Sequence, residues 1–161
     1  FCLIRYADIL LLKAEALIET GSDLDAARQL INQVRAKAAR SIDGAYSPVE
    51  LNPMKANYEV GQYPAAGWTQ EYARKAVRME RRLELAMEGH RWFDLVRWGG
   101  DYMAAELKAY VDYEKQYIPK FAGAAYLPAS KTMFPVPDSE IQSMGNDESG
   151  QPYLVQPGPW K

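Results

Sequence analysis

The stretch that decides the fold is Glu80-Arg-Arg-Leu-Glu-Leu-Ala-Met-Glu-Gly-His-Arg-Trp-Phe-Asp-Leu-Val-Arg-Trp-Gly-Gly100. Apolar residues recur at helical spacing through its first half, and they predict a helix with one buried stripe. The predicted stripe consists of Ala76, Met79, Leu83, Ala86 and Met87. Gly89 is expected to end this helix, as glycine commonly does at a C-terminal cap. A short second helix, rich in Trp and Phe, is predicted to follow at once.

The same stretch places like charges close together. Its glutamates stand four residues apart, a spacing at which they repel on a helix unless cations neutralise them. The nearest cations are Arg81 and Arg82, and Asp94 lies three residues from an arginine on either side, so it can bridge two guanidinium groups. So much charge among so many aromatic residues predicts a partly buried ion-pair network. Its members are Glu80, Arg81, Arg82, Glu84, Glu88, Arg91, Asp94 and Arg97.

Such a network could be catalytic or structural, and the chemistry favours a structural role. Neighbouring arginines lower carboxylate pKa values instead of poising one near neutrality for proton transfer. Carboxylates four residues apart share one side of a helix, whereas glycoside hydrolysis needs two that flank the bond, roughly 5–10 Å apart. His90 is the single histidine, and a metal site needs more than one good ligand. We therefore predict no catalytic residue, no metal site and no cofactor.

The pattern over residues 80–99 resembles the signature of the SusD/RagB family, the surface nutrient-binding lipoproteins of Bacteroidetes-type bacteria. Two further stretches are similar to that family. Residues 3–17, with Asn32-Gln-Val-Arg35, resemble its helix pair, and Phe134-Pro-Val-Pro-Asp-Ser-Glu-Ile141 resembles its proline-rich segment. The ending Gln156-Pro-Gly-Pro-Trp160 departs from the family pattern, because it lacks an Asn and carries an extra Pro.

The resemblance implies a binding protein without catalytic activity. Such a protein captures oligosaccharide, or peptide in RagB-like members, and delivers it to a SusC-like TonB-dependent transporter of the outer membrane. It is held at the cell surface by an N-terminal lipid anchor, which would lie outside this chain. A helical-repeat scaffold for protein partners is the alternative. Because the chain begins inside helical periodicity, we expect residues 1–161 to be a single α-helical region, the C-terminal part of a longer protein.

Composition excludes several other classes. The chain has 161 residues, of which 48% are hydrophobic, which is enough to bury one domain core. Its formal net charge of −2 includes no basic excess, which argues against binding to nucleic acid or to an anionic membrane surface. The single cysteine, Cys2, excludes an internal disulfide. The longest apolar run, at residues 9–12, is too short to span a bilayer.

Periodicity along the rest of the chain predicts an all-α fold, with helices near residues 3–20, 23–39, 69–88, 90–98 and 101–117. The first helix is apolar nearly all round and is therefore expected to be buried. It and the second helix are joined by a short connection, which predicts an antiparallel, tetratricopeptide-like pair. The fifth helix is expected to place Met103, Leu107, Tyr110 and Tyr117 in the core. The C-terminal tail is expected to be extended.

Residues 41–68 form the long irregular loop of this prediction. Loops of such length are usually functional or disordered in compact domains. This one carries several aromatic residues, which either fasten it to its own helices or present flat faces to a sugar or peptide. Our candidate ligand-binding residues are Tyr58, Tyr63 and Trp68.

Overall fold

The computed structural model describes residues 4–42, 60–125 and 131–158, and for residues 40–42 it describes the backbone alone. In these ranges the chain forms α1 (Tyr6–Thr20), α2 (Leu24–Ile42), α3 (Gln70–Glu84), α4 (His90–Arg97), α5 (Gly100–Glu114) and α6 (Asp138–Met144), with a short 3-10 turn at Pro119–Phe121. The described ranges contain no β-strand, and the all-α prediction is confirmed. None of the helices described is long and apolar enough to cross a membrane.

The starts of α2 and α3 and the end of α1 lie where short polar residues and glycine predict them. Asp23 Oδ1 accepts a hydrogen bond from the Ala26 N–H at 2.8 Å, which satisfies a free donor in the first turn of α2. Thr69 Oγ1 accepts from the Tyr72 N–H in the same way at the start of α3. Gly21 ends α1 in the left-handed conformation, with φ of 65°. Local capping chemistry therefore accounts for these boundaries.

The chain divides into two compact units, Phe1–Arg91 and Trp92–Lys161. In the first unit, α1, α2 and α3 pack against one another around a common apolar core. Its buried members are Ala7, Leu10, Leu11, Ala14, Ile18, Ala27, Ile31, Val34, Ala73 and Val77. In the second unit, α5 buries Met103 and α4 buries Asp94 and Leu95.

The buried face of α3 differs from the predicted stripe, which is wrong at most positions. Met79 and Leu83 are 46% and 58% exposed, and Met87 is fully exposed. The face that is buried includes Glu80 and Arg81. These charged residues occupy the inner face because they find ionic partners there. The helix also ends at Glu84 instead of continuing to residue 88, so the last part of the predicted stripe lies in a turn.

Two further burial predictions are wrong. Helix α1 buries one face only, and the apolar residues on its opposite face, among them Tyr6 and Ile9, are exposed. In α5 and the turn after it, Tyr110 and Tyr117 are exposed instead of lying in a core. In both cases the sequence showed apolar character on a helix face but not which element would cover it.

Candidate functional site

Arg5, at the start of α1, binds two glutamates near the end of α3. Its Nη1 lies 2.8 Å from Glu84 Oε1, and its Nη2 and Nε lie 2.8 and 2.9 Å from the two carboxylate oxygens of Glu88. Nη2 also donates to the Glu84 carbonyl at 2.7 Å. A cation that relieves the repulsion between these glutamates therefore comes from the start of another helix. The Arg5 hydrogen bonds lower the pKa of Glu88.

Glu80, the first of the predicted glutamates, is buried and pairs with α2. Arg35 Nη1 lies 2.8 Å from Glu80 Oε2. Burial raises the pKa of the Glu80 carboxyl, and the hydrogen bond from Arg35 opposes the rise only in part. The expectation that arginines lower every carboxylate pKa in this stretch is therefore wrong at Glu80, because desolvation is the larger effect there.

Arg81 is buried and reaches α1. Its Nη1 lies 2.7 Å from Asp8 Oδ1, and both side chains are almost fully buried. Asp8 was not among the residues selected from the sequence. The signal that could have identified it is its position, since Asp8 and Glu15 are acids that stand among the apolar residues of the inner side of α1.

In the second unit, Asp94 and Arg97 form the predicted pair within α4. Asp94 Oδ1 accepts from Arg97 Nε at 3.0 Å and lies 2.9 Å from Nη2. The Asp94 side chain is buried, whereas Arg97 is partly exposed. Arg91 is half-buried, and Arg82 is exposed. Glu80, Arg81, Glu84 and Glu88 connect α3 and the turn after it to α1 and α2. Asp94 and Arg97 pair within α4.

The second part of the site is an aromatic cluster made by Tyr63, Trp68 and Tyr72. The ring centroids of Tyr63 and Trp68 are 5.5 Å apart, and Tyr72 meets both rings edge-on at 6.0 and 5.5 Å. Trp68 Nε1 donates to the Leu24 carbonyl at 2.8 Å, which fixes the indole against the start of α2. The Arg35 guanidinium lies 4.8 Å from the Tyr63 ring centroid. Arg35 thus joins the aromatic cluster to Glu80.

The Tyr63 backbone is hydrogen-bonded to side chains of α2. Asn32 Oδ1 accepts from the Tyr63 N–H at 2.8 Å, and Asn32 Nδ2 donates to the Tyr63 carbonyl at 2.9 Å. Arg28 donates to the same carbonyl at 3.2 Å. These contacts fasten Tyr63 and Trp68 to α2, which is one of the two roles left open for the loop aromatics. Tyr58 lies outside the described residues, and contact of any of the three with a ligand stays a prediction.

The acidic residues of the site are arranged for ion pairing. Each glutamate or aspartate described above accepts from at least one arginine, so its charge is already compensated. Among the residues that the structure describes, no group of three or more His, Cys, Asp or Glu side chains is placed to hold a metal ion. The geometry fits a rigid interface between helices with a fixed aromatic surface beside it.

Comparison with known proteins gives consistent results. The family model described as SusD family matches residues 1–153. The chain is 39% identical over 96 residues to SusD-like protein P38 of Formosa agariphila, and 32% identical over 93 residues to SusD-like protein P2 of the same organism. These matches cover 59% and 58% of this chain but only 16% of each relative. A crystal structure of a SusD homolog from Bacteroides thetaiotaomicron superposes with a TM-score of 0.59 at 34% identity, covering 87% of this chain and 24% of that one.

Proposed function

The chain belongs to the SusD family, and from that membership we propose that it is the C-terminal part of a surface protein that captures oligosaccharide nutrients. The observation that carries this proposal is the family match over residues 1–153 together with the helical fold shared with a SusD homolog. Since the chain spans about one sixth of its curated relatives, the remainder of such a protein would supply further contacts to the ligand.

The proposed protein binds without chemical conversion. Its buried carboxylates are held by arginines in ion pairs, so they are not poised as a general acid and a general base. Arg5 holds Glu84 and Glu88 in the same way. The arrangement supports a stable scaffold, which is what a receptor that holds and releases an intact ligand requires.

For the assembled protein we propose attachment to the outer membrane by an N-terminal lipid anchor, with its bulk exposed at the cell surface. Its partner would be a SusC-like TonB-dependent transporter that accepts the captured ligand. Family membership supports both statements. Protease treatment of intact cells should digest the protein, and affinity purification from solubilised outer membranes should recover the transporter.

Within this chain we propose Tyr58, Tyr63 and Trp68 as ligand contacts. The fixed cluster of Tyr63, Trp68 and the partly exposed Tyr72 supports this choice, because rings held in place lose little conformational entropy on stacking against a sugar. Arg35 beside Tyr63 adds a hydrogen-bond donor at the edge of the cluster. A peptide ligand, as in RagB-like members, would use the same flat faces.

The test is calorimetry on the longer natural protein, after its ligand has been identified on a glycan and peptide array. Tyr58→Ala and Trp68→Ala should each weaken binding at least tenfold, with thermal unfolding checked separately because Trp68 also packs on the core. Trp68→Phe keeps a ring but loses the hydrogen bond to Leu24, so it separates stacking from fastening. Absence of any glycan or peptide binding by the parent protein would refute the proposed function. Unchanged affinity in folded variants would refute only the proposed contacts.

A further inference from the structure

The second unit carries a groove of about 360 Å³ where the proline-rich segment meets the C-terminal tail. Four consecutive residues and one residue of the tail line it, namely Pro135, Val136, Pro137, Asp138 and Gln156. Both prolines are exposed, and Val136 is half-buried between them. The groove therefore has apolar walls with two polar side chains, and we call it the proline groove.

Several polar groups of the proline groove are already hydrogen-bonded. Gln156 Oε1 accepts from the Val136 N–H at 3.0 Å, and Gln156 Nε2 donates to the Val136 carbonyl at 2.7 Å. The Pro137 carbonyl accepts from two N–H groups in the first turn of α6, at 3.0 and 3.3 Å. The Asp138 carboxylate differs from these groups, because it makes no hydrogen bond or ion pair with any residue that the structure describes. It is therefore the charged group that the groove can offer to a ligand.

The sequence that forms the proline groove carries charge of one sign. Residues 134–158 contain no lysine or arginine, and their four acids are Asp138, Glu140, Asp147 and Glu148. Glu140 lies in the first turn of α6 with Asp138, and both are exposed. A cation that approaches the groove is therefore attracted by several carboxylates, whereas an anion is repelled.

Exposed apolar side chains stand next to the groove residues in the chain. Phe134, directly before Pro135, is 75% exposed, and its ring centroid lies 5.8 Å from that of Trp92. In the tail, Tyr153 and Val155 precede Gln156 and are 63% and 52% exposed. Exposed aromatic faces attract cations, and apolar surface with polar groups at its margin is typical of a site that contacts another protein.

We propose that the proline groove receives a lysine or arginine side chain from an extended, basic segment of a partner protein. The apolar stem of that side chain lies against Pro135 and Pro137, and its cationic head reaches the Asp138 carboxylate. The negative charge of residues 134–158 complements such a segment. This interaction is separate from the sugar contacts proposed for the first unit and does not depend on them.

The chemistry of the groove favours this occupant over two others. A neutral sugar presents many hydroxyl groups, whereas Gln156 already spends both ends of its amide on Val136 and leaves Asp138 to bind a ligand. A small free amine would gain little from one exposed carboxylate, because water competes for both charges. A polypeptide segment adds apolar residues on either side of its cation, and these can contact exposed side chains such as Phe134.

NMR titration of the 161-residue chain with synthetic peptides tests the proposal. The probes are short acetylated and amidated peptides in which one arginine is flanked by leucine, phenylalanine or proline. In the matched peptides citrulline replaces arginine, which keeps the shape and removes the charge. We expect arginine peptides to shift the signals of the Val136 amide and the Gln156 side-chain amide, and to bind about fivefold more tightly than their citrulline counterparts.

Variants of two acids in the same turn of α6 locate the charge that is recognised. Asp138→Asn should abolish the preference for arginine, and Asp138→Glu, which keeps the charge, should retain it. Glu140→Gln removes the same charge outside the groove lining and should leave the preference in place. An unchanged Val136 amide signal in free Asp138→Asn shows that the groove is intact. If that signal moves, nuclear Overhauser contacts between the arginine side chain and Val136 in the parent decide instead, and their absence refutes the proposal.

Equal binding of arginine and citrulline peptides by the parent would overturn the proposal, as would a preference for arginine that survives in Asp138→Asn. Shifts confined to signals other than those of Val136 and Gln156 would place the peptide elsewhere and refute it. N-acetylarginine amide that binds as tightly as the peptides would identify a small ligand instead of a protein segment. Oligosaccharides that move the same two signals, when arginine peptides do not, would make the groove a sugar site. Because the glycan assay concerns aromatic residues of the first unit, its failure leaves this result intact.

Discussion

Asp8 Oδ1 and Arg81 Nη1 lie 2.7 Å apart, and the pair links α1 to α3 inside the core of the first unit. Each group has left water, so each depends on the other for compensation of its charge. A buried pair of this kind contributes less to net stability than to the choice of one packing arrangement, because desolvation opposes the attraction. Here it fixes which face of α3 turns toward α1.

We predict that Asp8→Leu and Arg81→Met each destabilise the protein by about 3–5 kcal/mol, because each removes one member of a buried ion pair and leaves the charge of the other less well compensated. The double variant Asp8→Leu with Arg81→Met should be much closer to the parent, since it replaces both charges with apolar groups. Urea unfolding measures the four free energies. If the effects of the single variants simply add in the double variant, the two residues do not depend on each other and this account of the pair is wrong.

This pair shows which ionic contacts can be predicted from the sequence and which cannot. The charge pattern predicts that Arg81 takes part in an ion-pair network, and in the structure it pairs with Asp8. Its partner was not predicted, because Asp8 lies 73 residues away and only the packing of α1 against α3 brings them together. Local signals such as the Thr69 cap and Gly21 predict helix ends, since they act within one turn. Long-range ionic partners depend on the tertiary arrangement.

Glu80 and Glu88 should respond to acid in opposite directions. Arg5 lowers the pKa of Glu88 below 4.5, so its carboxylate stabilises the fold above that pH, and the contribution is lost as pH falls through the folded pKa. Burial raises the pKa of Glu80 above 4.5, so its ionised form costs stability near neutral pH and the cost is relieved as pH falls toward 4.5.

Urea unfolding of the parent, Glu88→Gln and Glu80→Gln at a series of pH values measures both effects. The stability advantage of the parent over Glu88→Gln should shrink as the solution becomes acidic. Relative to Glu80→Gln, the parent should instead gain stability between neutral pH and 4.5. Slopes of the same sign for the two variants would contradict the assignment of desolvation as the larger influence on Glu80.

The Asn32 side chain is predicted to hold the loop on α2. Asn32→Leu removes both hydrogen bonds to Tyr63 and leaves its half-buried N–H without that acceptor, which should cost about 1–3 kcal/mol. Asn32→Asp keeps the acceptor and loses the donor, so its cost should be smaller. Protease cleavage near Tyr63 should quicken in the same order. Cleavage at the parental rate in Asn32→Leu would show that the aromatic packing alone holds the segment.

For the aromatic cluster, as for the ion pairs, the long-range partners could not be predicted from the sequence. The sequence indicates an aromatic-rich loop and leaves two roles open for its rings. The residue types of the loop do not distinguish these two roles. The contacts that fasten it are hydrogen bonds, from Asn32 to the Tyr63 backbone and from Trp68 to the Leu24 carbonyl. Both partners lie on α2, more than 30 residues away in sequence. The helical pattern of α2 does not indicate that an asparagine on it will hydrogen-bond to the backbone of a distant loop residue.

Met87 is expected to be a position where a smaller residue stabilises the protein. It has a φ of 67°, in the left-handed region that disfavours residues with a side chain, and its side chain is fully exposed. Met87→Gly should therefore raise the free energy of unfolding by about 1 kcal/mol. Leu83→Gly, an exposed site inside α3, should instead lower it by about 1 kcal/mol. A destabilised Met87→Gly would indicate that the methionine side chain makes contacts that outweigh its backbone strain.

The last prediction concerns the second unit, where Gln156 pairs with Val136 as a strand would. Its Oε1 accepts from the Val136 N–H at 3.0 Å, and its Nε2 donates to the Val136 carbonyl at 2.7 Å. Val136 stands between two prolines, which have no N–H of their own, so its amide is the single backbone donor of residues 135–137. The C-terminal tail is thereby fastened to the proline-rich segment by one side chain.

Gln156→Leu should remove both bonds, and Gln156→Glu should remove the donor while turning a carboxylate toward the Val136 carbonyl. We expect hydrogen exchange at the Val136 amide to quicken about fivefold in Gln156→Leu, which corresponds to the roughly 1 kcal/mol of one such bond. In Gln156→Glu the tail should be loosened at neutral pH and restored in part when acid protonates the new carboxyl group, because the protonated form again has a donor. Gln142→Glu, an exposed change on α6, is the matched control and should leave exchange at Val136 unchanged. Parental exchange rates in Gln156→Leu would show that the tail is held by its apolar contacts, with the amide pair contributing nothing measurable.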